Sequence, residues 1–98
     1  MTTGIQLDAM LTRTPGVCGG RLTVAGTRVT VLQIVTLYKQ GETPEEIALN
    51  FPQVNLGQVY AALAYYHANR AGIEQELAAE LAEYDRLKAE HEQAAKQA

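Results

Sequence analysis

The stretch GETPEEIALNFPQVNLGQVYAALAYY, residues 41–66, decides the fold. Its first part predicts a short helix, because Thr43 can cap the free backbone N–H groups and Pro44 suits the first helical position. Glu46 completes a capping box with the threonine. Pro52 ends this helix, since proline lacks the N–H that a helix needs and disfavours a helical conformation in the residue before it.

A second helix start follows within the same stretch. Asn55 can act as the cap, Gln58 can reach back to it, and Val54 can contact Val59 across the first turn. The spacing of apolar residues predicts that the inner face of this helix consists of Leu56, Val59, Tyr60, Leu63 and Tyr66. The outward positions are then Gly57, Gln58, Ala61, Ala62, Tyr65 and Asn69.

The residues before this stretch predict one more helix and a β element. Residues 31–38 are apolar on nearly all sides at helical spacing, which predicts a buried helix that Gly41 ends. Upstream of it we expect an extended segment near 9–13, a turn through 15–20, a strand near 21–25 and a turn at Gly26.

The C-terminal part of the chain carries one apolar stripe at helical spacing. The residues of this C-terminal stripe recur at intervals of four, four, three and three, and they are Ile73, Leu77, Leu81, Tyr84 and Leu87. A helix is therefore predicted from about residue 70, with fraying expected from Ala89 onward. The stripe needs a partner surface, which could be the body of the protein, a second copy in a dimer, or a groove of another protein.

The predicted fold is mainly α. It comprises a short N-terminal β element, a three-helix core with the layout of a helix-turn-helix, and an amphipathic C-terminal helix. We place the β element and core at residues 1–70 and the acidic helix at 71–98. A chain of 98 residues is small for a stable core, so a homodimer is expected.

Charge and composition narrow the classes of function. The net charge of −3 divides into a near-neutral segment 1–70, with five basic and four acidic residues, and an acidic segment 71–98, with three and seven. No apolar run reaches the roughly 18 residues that span a bilayer, and the N-terminal segment lacks the features of a secretory signal. We expect a cytoplasmic protein that does not enter the membrane.

The stretch TPGVCGGRLTVAGTRVT, residues 14–30, raises the question whether the protein is an enzyme with a reactive cysteine. Cys18 is the single cysteine, and no sequence feature places a base or a positive field beside it, so we expect no enzyme. Its glycines lead into a strand rather than a helix, which favours a turn over a phosphate loop. One cysteine and two histidines match no metal-binding spacing, and we expect neither metal nor cofactor. A small thiol enzyme centred on Cys18 stays as an alternative hypothesis.

The helix-turn-helix layout raises a second question, that of DNA binding. The outward side of the third helix has no Lys or Arg, whereas contacts to phosphates supply most of the affinity for DNA. We therefore expect the β element or a dimer to supply the positive surface. The candidate DNA contacts are Arg13, Arg21, Arg28, Gln58 and Tyr65.

Several motifs in order give the chain a family resemblance. They are a Pro-Gly-x-x-Gly-Gly turn from Pro15, Gly-Thr-Arg from Gly26, Thr-Pro-Glu-Glu-Ile from Thr43 and Ala-Leu-Ala-Tyr-Tyr from Ala62. From about Thr14 to about Arg70 the chain resembles the prokaryotic domain-of-unknown-function family 433, whose members are described as VapB-like antitoxins of type II toxin–antitoxin modules.

This resemblance implies a homeodomain-like core and two tasks. The core would bind operator DNA, and the C-terminal segment would bind and inhibit a toxin with a PIN-like ribonuclease domain. The C-terminal stripe would then anchor the toxin. The alternative is a stand-alone dimeric DNA-binding regulator that uses its C-terminal helix for dimerisation.

Overall fold

The computed structural model of the chain describes residues 7–97, and the side-chain environments of residues 9–95. The first six residues of the predicted 1–70 domain, and Ala98 at the predicted frayed end, lie outside the described residues. The described part is mainly α with a short β element before the helices, as predicted. Its strands and α-helices are β1 (Leu11–Arg13), β2 (Leu22–Val24), α1 (Val31–Lys39), α2 (Pro44–Asn50), α3 (Leu56–Ala68) and α4 (Arg70–Gln97).

The β element is an antiparallel pair, in which Leu11 lies opposite Val24 and Arg13 opposite Leu22. Both strands are shorter than predicted. Residues 9 and 10 belong to a 3-10 turn, Leu7–Met10, rather than to an extended segment. The second strand ends at Val24, because the Thr27 N–H donates to the Val24 carbonyl at 3.0 Å in a turn where Gly26 has a φ of +79°.

Each of the first three helices begins with a complete capping box, formed by Thr30 with Gln33, Thr43 with Glu46, and Asn55 with Gln58. In the third, the Asn55 N–H donates to Gln58 Oε1 at 2.8 Å and the Gln58 N–H donates to Asn55 Oδ1 at 2.9 Å. The second and third boxes were predicted from the sequence, whereas the first was not. Each box satisfies backbone donors that would otherwise lack a helical partner.

Removing a cap should lower stability measurably. We expect Thr43→Ala to cost about 1 kcal/mol, because the Thr43 hydroxyl accepts the Glu46 N–H at 3.2 Å. Thr36→Ala is the matched control, since Thr36 lies in the interior of α1, where alanine is the better helix former. Thermal unfolding followed by circular dichroism measures both. An equal loss in the two variants would contradict a capping role.

The core forms where β2 and the first three helices meet, with α1 and α2 both packed on α3. The predicted buried face of α1 is confirmed for Val31, Leu32, Ile34 and Val35, while Leu37 and Tyr38 are half-buried. Gly41 ends this region as predicted, with a φ of +100° that glycine adopts without a steric penalty. The other buried apolar residues of the core are Val24, Val29, Ile47, Val54, Val59, Ala61, Ala62, Leu63 and Tyr66.

The prediction for the faces of α3 is partly wrong. Ala61 and Ala62, predicted to point outward, are buried, whereas Leu56 and Tyr60, predicted to point inward, are 38% and 50% exposed. Because α3 is apolar on most sides, its buried face can be formed by alanines as well as by large apolar residues. Small side chains also let neighbouring helices approach closely. The buried face is therefore rotated away from the one that the large residues suggested.

The chain divides into two compact units between Ala68 and Asn69. The second unit contains α4, a helix of 28 residues that continues through Gln97 and includes the segment from Ala89 where fraying was expected. Between residues 7 and 97, none of the helices is both long and apolar enough to span a bilayer.

Candidate functional site

The C-terminal stripe changes in exposure along α4. Ile73 is buried, with 3% of its surface exposed, and Leu77 is half-buried. Leu81, Tyr84 and Leu87 are exposed by 61%, 62% and 51%. These three residues, which we call the distal stripe, recur every three positions and therefore lie along one side of the helix. Ile73 is thus not an accessible anchor in the isolated chain, while the distal stripe is.

The surroundings of the distal stripe are polar and mostly acidic. Arg86 Nη1 donates to Glu90 Oε1 at 2.7 Å and the Arg86 guanidinium also pairs with Glu83. The hydrogen bond from Arg86 lowers the pKa of the Glu83 carboxyl. All three side chains are exposed, so these pairs stabilise α4 only weakly. An apolar stripe among carboxylates suits a partner with an apolar groove and a basic rim.

A second candidate site lies at the turn Cys18–Gly20, which the structure surrounds with arginines. Arg13 Nη1 donates to the Gly20 carbonyl at 3.4 Å, and Arg21 Nη1 donates to the Cys18 carbonyl at 3.2 Å. The Cys18 thiol donates to the backbone carbonyl of Arg28 at 3.3 Å. We call the turn together with these three arginines the arginine turn. It brings the side chains of two predicted DNA contacts, Arg13 and Arg21, and the backbone of a third, Arg28, to one part of the first unit.

The backbone of this turn explains its glycines. Cys18, Gly19 and Gly20 have φ values of 50°, 65° and 78°, so two glycines in succession take a conformation that other residues adopt at a cost. Cys18 is half-buried, and its thiol is engaged with a backbone carbonyl. Within the described part of the chain, no group of three His, Cys, Asp or Glu residues could hold a metal ion.

The remaining predicted DNA contacts lie on α3 and are less accessible. Gln58 is half-buried and its side-chain oxygen accepts the Asn55 N–H of the capping box. Tyr65 is also half-buried. His67 makes a hydrogen bond with the Tyr38 hydroxyl, Nε2 to O 3.3 Å, and stacks edge-on against its ring. The two parts of the predicted DNA interface thus differ in exposure. The three arginines are exposed, whereas Gln58 and Tyr65 on α3 are half-buried.

Sequence reasoning missed an exposed apolar surface on α2 and α3. Leu49 is 83% exposed, and Leu56 and Tyr60 lie four residues apart on the exposed side of α3. The four-residue spacing is visible in the sequence, where it is equally typical of an inner face. Only the packing of α3 on its neighbours distinguishes the two interpretations.

The fold defines a small, mainly α domain in which a two-stranded sheet precedes three packed helices. Residues 11–66, more than half of the chain, match the family described as "Protein of unknown function (DUF433)", and the chain belongs to this family. The matched range runs from β1 through most of α3 and includes the arginine turn, and it ends before α4 begins.

A solved structure supports the same assignment. The crystal structure of a DUF433 member protein from Anabaena variabilis is 35% identical to the chain, with a TM-score of 0.66. The similarity covers 74% of this chain and 71% of that chain. A comparison with the curated proteins gave no match. The predicted family is therefore confirmed, and its described role as an antitoxin stays a prediction.

Proposed function

We propose that this protein is the antitoxin of a type II toxin–antitoxin module and inhibits a PIN-like ribonuclease in the cytoplasm through α4. The observation that carries the proposal is the distal stripe. Leu81, Tyr84 and Leu87 keep half or more of their surface in water, so their burial against a partner is a source of binding free energy. Large side chains of this kind, including tyrosine, are typical anchors of an interface.

The charge of α4 supports a ribonuclease as the partner. A ribonuclease binds a polyanion, so the surface around its active site has to attract negative charge. This helix, Arg70–Gln97, carries seven acidic and four basic side chains, a net charge of −3. An acidic helix with apolar anchors would compete with RNA for such a surface. The inhibition would then follow from occupying the substrate site rather than from any chemistry of the antitoxin, which would not be an enzyme.

A second candidate function is a stand-alone dimeric DNA-binding regulator that uses α4 for dimerisation. The arginine turn is the observation that favours it, because it gathers exposed positive charge in the first unit. The order of α2, a short connection and the longer α3 also has the layout of a helix-turn-helix. If the protein is an antitoxin, the arginine turn would bind the operator of the module, and the protein would thereby repress its own promoter.

Co-expression with the adjacent gene tests the leading proposal. If that gene encodes a PIN-like ribonuclease, its expression alone should arrest growth, and expression of this protein with it should restore growth. A variant that carries both Leu81→Asp and Leu87→Asp should not restore growth. Growth arrest that the wild-type chain does not relieve would remove the antitoxin role and favour the stand-alone regulator.

A further inference from the structure

We propose that the exposed side of α3 is the surface through which two copies of this chain pair. The exposed residues of this helix, which we call the α3 face, are Leu56, Gly57, Tyr60, Ala64, His67 and Ala68. The occupant of the α3 face is the α3 face of a second copy, related to the first by a two-fold axis. This inference goes beyond the proposed function and uses none of the residues that the proposal assigns to the ribonuclease.

The α3 face is exposed although it lacks the residues that usually face water. From Leu56 to Ala68 the sequence of α3 contains no Asp, Glu, Lys or Arg. A helix at the surface of a protein usually carries charged and polar residues on its outer side, and a helix that is apolar on all sides is buried. Leu56 and Tyr60 nevertheless keep 38% and 50% of their surface in water. Their burial against a partner is therefore favourable.

The absence of charge on the α3 face favours a second copy as the partner. A two-fold axis brings the same surface of both copies together, so a charged residue near the axis would face its own charge. The α3 face avoids this repulsion. By contrast, α4 carries a net charge of −3, so two copies of α4 repel each other while a basic partner is attracted. Charge thus distinguishes the two apolar surfaces, because the α3 face suits a second copy and the distal stripe suits a basic partner.

The α3 face also has a shape that fits a copy of itself. With 3.6 residues per turn, its larger side chains, Leu56, Tyr60 and His67, lie within about 40° of one another around the helix axis. Its three smaller residues occupy a neighbouring arc of about 40°. The larger side chains form a ridge, and the smaller ones leave a groove beside it. When two such helices run in the same direction about a two-fold axis, the ridge of each copy lies over the groove of the other. Tyr60 of one copy then lies between Gly57 and Ala64 of the second copy.

Sedimentation of the purified full chain tests the pairing, and the wild type should be a dimer. Ala64→Asp places a carboxylate near the centre of the α3 face in both copies. It should raise the dissociation constant about a hundredfold or more, since an unpaired charge in an apolar contact costs at least about a factor of ten per site. Ala64 is exposed in the single chain, so the circular dichroism should not change. Ala82→Asp, the same change at an exposed position of α4, is the control and should alter the constant by less than about threefold.

A mixture of two variants tests whether the partner is a second copy. Ala64→Lys alone should weaken the dimer as Ala64→Asp does, because like charges meet across the two-fold axis in either case. Equal amounts of the two variants should form a mixed dimer that is at least about tenfold tighter than either variant forms alone, since the introduced ammonium and carboxylate groups attract each other. Such recovery also shows that both variants are folded. If the mixture stays monomeric, the inference fails.

Two other results would also overturn the inference. A wild-type chain that stays monomeric at about 100 μM has no stable pairing surface. A dimer that survives Ala64→Asp but dissociates in the variant with both Leu81→Asp and Leu87→Asp pairs through α4, as the stand-alone regulator would. The proposed function fails by a different measurement, since growth arrest that the wild-type chain does not relieve removes the antitoxin role and leaves the pairing of α3 as it stands.

Discussion

Replacing both Leu81 and Leu87 with aspartate should weaken binding to the ribonuclease by about a hundredfold or more. Both leucines are more than half exposed in the isolated chain, so the substitutions should leave the fold intact. In the complex they would place two carboxylates in an apolar contact, where an unpaired charge is costly. A loss of about 1.4 kcal/mol at each site already amounts to a factor of ten per site. Isothermal titration with the purified ribonuclease measures the effect.

The pair Ala82→Asp with Ala89→Asp is the matched control. It adds the same two charges to exposed positions of α4, and both positions lie on the side of the helix away from the distal stripe. We expect its affinity to stay within about threefold of the wild type, since solvent-exposed charges outside the contact contribute little. Equal weakening by the two pairs would show that added charge, and not the stripe, decides the affinity.

The largest effect on stability is expected for Ile47→Ala. Ile47 is the buried residue of α2 and has no exposed surface, so it is the contact that fixes this helix to the core. Truncating such a residue removes apolar contacts and leaves a cavity, which costs about 2–5 kcal/mol. In a domain of this size the midpoint of thermal unfolding should fall by about 10 °C or more.

Leu49→Ala, on the same helix, is the control for that experiment. Leu49 is 83% exposed, so its truncation should change the free energy of unfolding by no more than about 0.5 kcal/mol. Calorimetry of both variants provides the comparison. If Leu49→Ala is as destabilising as Ile47→Ala, then α2 does not pack through the face that the structure shows.

The beginnings of α2 and α3 could be predicted because their signals are local. Thr43 with Glu46, and Asn55 with Gln58, bond within one helical turn, so three-residue spacing is enough to recognise them. The box at Thr30 has the same spacing to Gln33 but went unrecognised beside the apolar run that follows it.

The faces of α3 could not be predicted because they depend on distant residues. The prediction of an inward position is confirmed for Val59 and Leu63 and is wrong for Tyr60, which the spacing of apolar residues also assigns to the inner face. The pattern allowed several orientations of an almost entirely apolar helix. The inner face is the one against which α1 and α2 pack, and that packing is not a property of α3 alone.

The distal stripe and the arginine turn also differ in how much of each site can be predicted from the sequence. The distal stripe is visible in the sequence, since Leu81, Tyr84 and Leu87 share one helix, but the burial of Ile73 is not. The arginine turn required the structure, because Arg13 and Arg21 are eight residues apart and come together through the pairing of β1 with β2. The sequence identified these arginines singly, as scarce positive charge, and did not show that they share one turn.

Titration of the purified ribonuclease with two forms of this protein tests the central claim most directly. One form is the full chain, and the other ends at Arg70 and lacks the rest of α4. The account predicts that the full chain forms a stable complex and blocks cleavage of RNA, and that the shortened chain does neither while it keeps the circular dichroism of its first three helices. Binding and inhibition by the shortened chain, as tight as by the full chain, would contradict the account.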